Sequence, residues 1–172
     1  MSFHKCFYCE QALGERSEVD HYVEVSEAPE RAFAWPNLYL ACFECNRRKA
    51  PNSQRSAAEC LDPCEPTQDP AEHLTFEDEI IRARSASERG LATIQKYLLD
   101  REDLNYKRLV QLKHFLHALD RIRQIHERES RRGMSAPEAE LLAAFAAPDH
   151  PFSLMFRVLL ERSGFEDSRG LD

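Results

Sequence analysis

The chain has 172 residues, with 30 acidic side chains against 23 Lys and Arg and a formal net charge of -7. That length suits one extended domain or two small lobes, and the charge balance argues against a protein that coats nucleic acid through bulk charge. No apolar run approaches the roughly 18 residues of a membrane helix. The opening MSFHKCFYCEQALGE has neither an apolar h-region nor a cleavage-site pattern, so the chain is expected in the cytoplasm, where paired cysteines serve as metal ligands rather than disulfides.

The first segment, residues 1–58, holds four of the six cysteines and the only tryptophan. EVDHYVEV alternates like a strand and NLYLAC reads as a second one. This part is too small to fold without a staple. Residues 59–84 form an acidic connector packing on that core. Between 59 and 80 there are eight acids and no Lys or Arg, interleaved with Pro63, Pro66 and Pro70, which stiffens the chain.

From residue 85 to 165 the period becomes helical. SERGLATIQKYLL predicts a short helix broken near Asp100, which is positioned as a cap with Asp103 in the first turn that follows. A long helix is then expected to about Glu129, with Leu109, Leu112, Leu116, Leu119, Ile122 and Ile125 on one stripe. Its other faces are basic: Lys107, Arg108, Lys113, Arg121, Arg123, Arg128, Arg131 and Arg132 stand against Asp120, Glu127 and Glu129. Ser135 and Pro137 are placed to open a further helix, and DHPFSLMFRVLLERSG reads as a last amphipathic helix ending at Gly164, before a frayed tail. The expected fold class is α+β and mostly helical, a small lobe stapled at its cysteines followed by a helical region.

Cys6 and Cys9, then Cys42 and Cys45, form two C-x2-C knuckles. Two residues between thiolates let both sulfurs reach one tetrahedral ion, and two knuckles make a closed four-cysteine zinc site. Such a site has no open position, so its zinc holds the fold and does no chemistry. Catalysis must come from the loop that the zinc closes. Taken singly, Asp20 and His21 are a weak signal and Asn37 is ordinary turn chemistry. Cys60, Cys64 and His73 are discounted as a second metal group, His114 and His117 as an ordinary helix face, and the Leu154 to Leu160 stretch as core or interface.

Asp20-His21, Asn37-Leu38 and Cys45-Asn46-x-x-Lys49, framed by the two knuckles, resemble the motif of the HNH endonuclease family, whose ββα-metal unit carries its residues in this order. The resemblance implies His21 as general base, Asn37 as the residue orienting the His21 loop, and Asp20 and Asn46 as oxygen ligands of a catalytic Mg2+ or Mn2+. It places Arg47, Arg48 and Lys49 on the scissile phosphate. FAWPNLYLACFECNRRK, LDPCEPTQDPAEHLTF and SERGLATIQKYLLDREDLNYKR are further similar to the HNH subunit of Septu anti-phage systems and its relatives in retron-linked defence operons. This implies a defence role and an ABC-type ATPase partner held through the C-terminal helices. DNA is the default substrate by resemblance, since no residue identifies a reader of a base edge or a 2′ hydroxyl. Two departures stand out: Glu24 where HNH proteins often have a proline three residues after the His, and VSEAPERA in place of a glycine-rich turn. The alternative from another class is a non-catalytic zinc-stapled adaptor, which has no physical need to keep Asp20, His21, Asn37 and Asn46 together.

Overall fold

The alternation at EVDHYVEV folds as β1, Ser17–His21, and pairs antiparallel with β2, Leu38–Cys42, so that His21 faces Leu38, Asp20 faces Tyr39 and Ser17 faces Cys42. The computed structural model describes residues 2–49 and 55–163. β2 leads directly into a short helix α1, Phe43–Lys49. Together these make the ββα unit. Asn37, expected to open the second strand, instead closes a 3-10 turn, Trp35–Asn37. Pro36 has the φ that such a turn needs, and the Asn37 N–H donates to the Ala34 carbonyl at 2.8 Å.

Hydropathy does not choose the buried face of β1. Val19 is 62% exposed whereas Asp20 is 7% exposed, because the side turned toward α1 supplies Asp20 with polar partners. The first knuckle lies against this hairpin through Phe7 N–H to Leu40 O at 3.0 Å. A ladder of aromatic rings continues inward, with Tyr22 on Tyr39 at 5.0 Å and Tyr8 on Tyr97 at 4.1 Å between centroids.

The acidic connector contains more regular structure than its composition predicts. A 3-10 turn Ala57–Glu59 is closed by a Ser56/Glu59 capping box. Asp69 caps the short helix α2, Pro70–His73, which runs into a hairpin of β3, Leu74–Glu77, and β4, Ile80–Ala83. Phe76 and Ile81 pair across the two strands and are buried, while the acids Asp78 and Glu79 make the turn after Glu77, with Asp78 at φ 52. The acids spread along residues 59–80 conceal a two-residue period on the inner face of the hairpin.

α3 spans Glu88–Tyr97 with Ser87 as cap. It crosses so close to α2 that a Cβ on Gly90 would lie 2.4 Å from the His73 carbonyl oxygen. The helix stops at Leu98, which adopts the left-handed conformation at φ 47, at a cost of roughly 1–2 kcal/mol. Burial of the next residue, Leu99, offsets that cost. α4 then runs Glu102–Glu129. Its N-cap is Arg101 rather than Asp100, with Glu102 and Asp103 in the first turn. The buried stripe is Leu104, Arg108, Leu112, Phe115 and Ile122; Leu116, expected inside, is 52% exposed. The stripe is shifted because Arg108 takes an inner position, its guanidinium lying over the Phe76 and Phe152 rings and donating to Leu99 O at 2.8 Å.

α5, Ala136–Ala143, begins with a Ser135/Glu138 capping box, and α6, Ser153–Arg162, brings Met155, Phe156, Val158 and Leu160 into the interior. The expected end at Gly164 and the frayed tail lie outside the described residues. One buried cluster extends from the four knuckle cysteines through Phe76 and Tyr97 to Phe156. The fold is thus α+β and mostly helical, with a small cysteine-framed lobe at the N-terminus and helices behind it. Among the described residues no helix is long and apolar enough to cross a membrane.

Candidate active site and zinc centre

Cys6 and Cys9 come from the first knuckle, Cys42 from the end of β2 and Cys45 from the first turn of α1. All four are buried, and their sulfurs lie within 4.8 Å of one another. Cys9 Sγ and Cys42 Sγ are 3.9 Å apart, and the Cys45 N–H points at Cys42 Sγ at 3.4 Å. The neighbouring Cys45, Cys6 and Cys9 thiols and that N–H hold the Cys42 thiol far below its ordinary range. Four converging sulfurs are the donor set of a tetrahedral zinc site. The four cysteines are positioned for zinc binding. Among the described residues they are the one group placed to hold a metal ion; Cys60 is buried elsewhere, Cys64 is exposed, and His73 Nδ1 lies 2.9 Å from Ser87 Oγ.

A cationic side chain comes from the helical region. Arg101 Nη2 lies 3.6 Å from Cys45 Sγ. Burial pulls the Arg101 guanidinium down, but the charges of Cys45, Cys9 and Asp103 outweigh it and raise the pKa. Arg108 is 2% exposed, and burial lowers its pKa to about 10.

His21 ends β1 and is half-buried. Its Nε2 is 2.9 Å from the Ala32 carbonyl oxygen. A carbonyl can only accept, so Nε2 carries the proton and Nδ1 presents the lone pair. The segment that brings Ala32 there is pinned by the buried Asn37. Its Oδ1 accepts from Val23 N–H at 2.8 Å, and its Nδ2 donates to Val23 O at 3.1 Å and Arg31 O at 3.2 Å. Asn37 thus ties both ends of the loop between the strands, and Arg31 immediately precedes the carbonyl that holds His21.

Residues 6–51 match the HNH endonuclease family. The matched HNH endonuclease domain coincides with the cysteine-framed lobe. No curated protein matches the chain.

Within this HNH lobe Asp20 and His21 point to opposite faces of β1, as adjacent strand residues do. Asp20 is enclosed: Tyr8 donates to Oδ2 at 2.6 Å, and Lys49 Nζ reaches Oδ1 at 3.2 Å and Oδ2 at 3.0 Å. Lys49 also donates to the carbonyls of His21 and Tyr22 and is 3% exposed. Expected on the scissile phosphate with Arg47 and Arg48, Lys49 is instead an internal cation that neutralises Asp20. At α1 the third step from Asn46 returns to the face covered by β1, so Lys49 is drawn inward while Arg47 stays exposed, its guanidinium over the Phe43 ring. Arg48 pairs with Glu44 at 3.2 Å.

Asn46 Nδ2 donates to Glu18 Oε2 at 2.7 Å, a partner that the sequence reading passed over. Glu18 lies two residues before Asp20 on the same strand face, and this period-two relation was the available signal. The arrangement does not fit a divalent ion on Asp20 and Asn46: a lysine ammonium already occupies the carboxylate, which is buried under three hydrogen bonds. Glu24, which stands where the proline was expected, makes a 2.6 Å ion pair with the fully buried Lys96 of α3. The loop that holds His21 is therefore also braced from the helical region.

Proposed function

We propose that this chain is an HNH endonuclease that hydrolyses phosphodiester bonds of nucleic acid, with DNA as the default substrate. The observation that carries this reading is the His21 imidazole, fixed in one tautomer by Ala32 O on a loop that Asn37 pins. In this reading His21 Nδ1 takes the proton of the attacking water, and exposed Arg47, with Arg48 beside it, meets the phosphate. Asn37 acts through the loop and never touches substrate. The zinc centre holds β2 and α1 in register, so Asn46 and Arg47 have a rigid base.

The reading retains a need for Mg2+ or Mn2+, which the motif implies, but the Asp20–Lys49 ion pair leaves Asp20 unfit as its ligand. The same ion pair is the observation favouring the second reading, a zinc-stapled adaptor without catalysis. The biological role proposed is that of nuclease effector in a Septu-like anti-phage system. There the basic faces of α4 and the helices after it would meet an ABC-type ATPase.

The deciding experiment compares the zinc-loaded protein with His21→Ala on supercoiled plasmid, with Mg2+ or Mn2+ and without added divalent ion. Nicking that needs both His21 and the divalent ion is expected. Intact protein that fails to nick plasmid or cleave RNA, alone and with the ATPase, would establish the adaptor.

A further inference from the structure

The peptide group that holds His21 continues directly into two exposed aromatic residues. Ala32 O lies 2.9 Å from His21 Nε2, and the nitrogen of that same peptide belongs to Phe33. Phe33 is 97% exposed and Trp35 is 83% exposed. Large apolar rings are rarely left this open on a held backbone, and where they cluster they mark a surface that meets something. Val19, on the same face of β1 as His21 by strand alternation, is 62% exposed.

The backbone beneath the rings is held along its length. Ala32 N–H donates to Pro29 O at 3.2 Å, Ala34 N–H to Arg31 O at 3.1 Å and Asn37 N–H to Ala34 O at 2.8 Å. One 3-10 turn, Pro29–Arg31, precedes the pair, and Trp35 opens a second, Trp35–Asn37. Asn37 therefore secures His21 and the aromatic pair with the same hydrogen bonds. Rings on a pre-ordered turn lose little conformational freedom on binding.

We propose that Phe33 and Trp35 form a stacking platform for unpaired nucleobases beside the scissile phosphate, making single-stranded or locally unpaired nucleic acid the preferred substrate. This rests on the nuclease reading, since a polymer reacting at His21 must pass the residues that hold His21. Exposed rings offer flat faces; in a duplex the base faces are already covered by their neighbours, whereas unpaired bases present theirs. Stacking discriminates little between bases, which agrees with the absence of any identified base-edge reader. The chain's net charge of -7 also favours a site that draws part of its affinity from ring contacts rather than from phosphate charge alone.

Trp35 is the single tryptophan of the chain, so intrinsic fluorescence reports on the platform. Zinc-loaded full-length protein is titrated, without added divalent ion, with a mixed-sequence single-stranded oligonucleotide of DNA or RNA and with the corresponding blunt duplex. Saturable quenching by a single strand is expected, with duplex binding at least about ten-fold weaker. Phe33→Ala should weaken the single strand about ten-fold. Trp35→Ala, followed by anisotropy of a labelled strand, should show a similar loss.

His21-dependent plasmid nicking without quenching, and with unchanged affinity in both aromatic variants, would overturn the platform while the nuclease stands. The pair would then belong to a protein partner. Equal quenching by the duplex would overturn the preference for unpaired bases. Saturable quenching that depends on Phe33, without cleavage under any condition, would support the platform and sink the nuclease reading instead.

Discussion

Arg101 Nη2 lies 3.6 Å from Cys45 Sγ, which joins the helical region to the cysteine cluster by a cation. Four thiolates around a divalent ion carry a net negative charge, and a guanidinium donating to one sulfur stabilises that state. Replacing Arg101 by Gln should leave four-cysteine zinc binding in place. Zinc affinity should fall about 10- to 100-fold, the usual cost of losing an outer partner of a metal ligand. Competition with a chromogenic chelator measures this, and unchanged affinity would show that the contact is incidental.

The buried Asp20–Lys49 pair is expected to be a stability element whatever its role in catalysis. Lys49→Met strands a carboxylate that is 7% exposed, which should destabilise the protein by about 3–5 kcal/mol. Adding Asp20→Asn removes the stranded charge and should recover most of that loss. Urea denaturation of the two single variants and the double variant gives the coupling directly. Additive losses would mean that the two side chains do not act as a pair.

Asn37 makes three hydrogen bonds that join both ends of the His21 loop. Asn37→Ala leaves buried backbone groups unpaired, at a cost of about 1–3 kcal/mol for a buried group, and frees the carbonyl that orients His21. The nicking rate should fall on the order of a hundred-fold, as for other losses of positioning. A rate loss that saturating substrate restores would assign Asn37 to substrate binding instead.

Glu138 clasps the end of α4 to the start of α5. It accepts from Arg131 at 2.7 and 2.9 Å and from Ser135, with His126 Nε2 3.2 Å away. Arg131 above all, then the Ser135 N–H, holds its carboxyl far below the ordinary 4.5. A depressed folded-state value means that the contribution is complete above the ordinary glutamate range and is lost as pH falls through the folded value. Glu138→Gln should therefore flatten part of the acid limb of stability and leave little pH effect of its own near neutrality. Thermal melts across the acid range test this, and parallel acid limbs for wild type and variant would contradict it.

The features legible in the sequence are those governed by near neighbours. The C-x2-C spacing announces two knuckles because two intervening residues set the reach of the sulfurs. Ser135 announces a helix start because a cap bonds to N–H groups two or three residues away. The order Asp20, His21, Asn37 and Asn46 was readable as a motif. The β3–β4 hairpin was hidden because the eight acids of residues 59–80 dominate the composition, whereas its inner face rests on only a few residues. The Arg108 position in the α4 stripe was hidden because a basic side chain reads as a solvent face until aromatic rings and a carbonyl are found around it.

By itself the sequence determined that the N-terminal segment carries an HNH-type constellation stapled by four cysteines, and that helices follow. Only the tertiary structure decided that Lys49 turns inward onto Asp20, that Asn46 bonds Glu18, that Arg101 reaches the cysteine cluster, and that Phe33 and Trp35 stay exposed on the loop whose Ala32 carbonyl holds His21. Each of these depends on which side chain arrives from a distant part of the chain to satisfy a charge or cover a ring. A local pattern constrains that choice only weakly, because burial of a polar group is tolerable or costly according to the partner it meets.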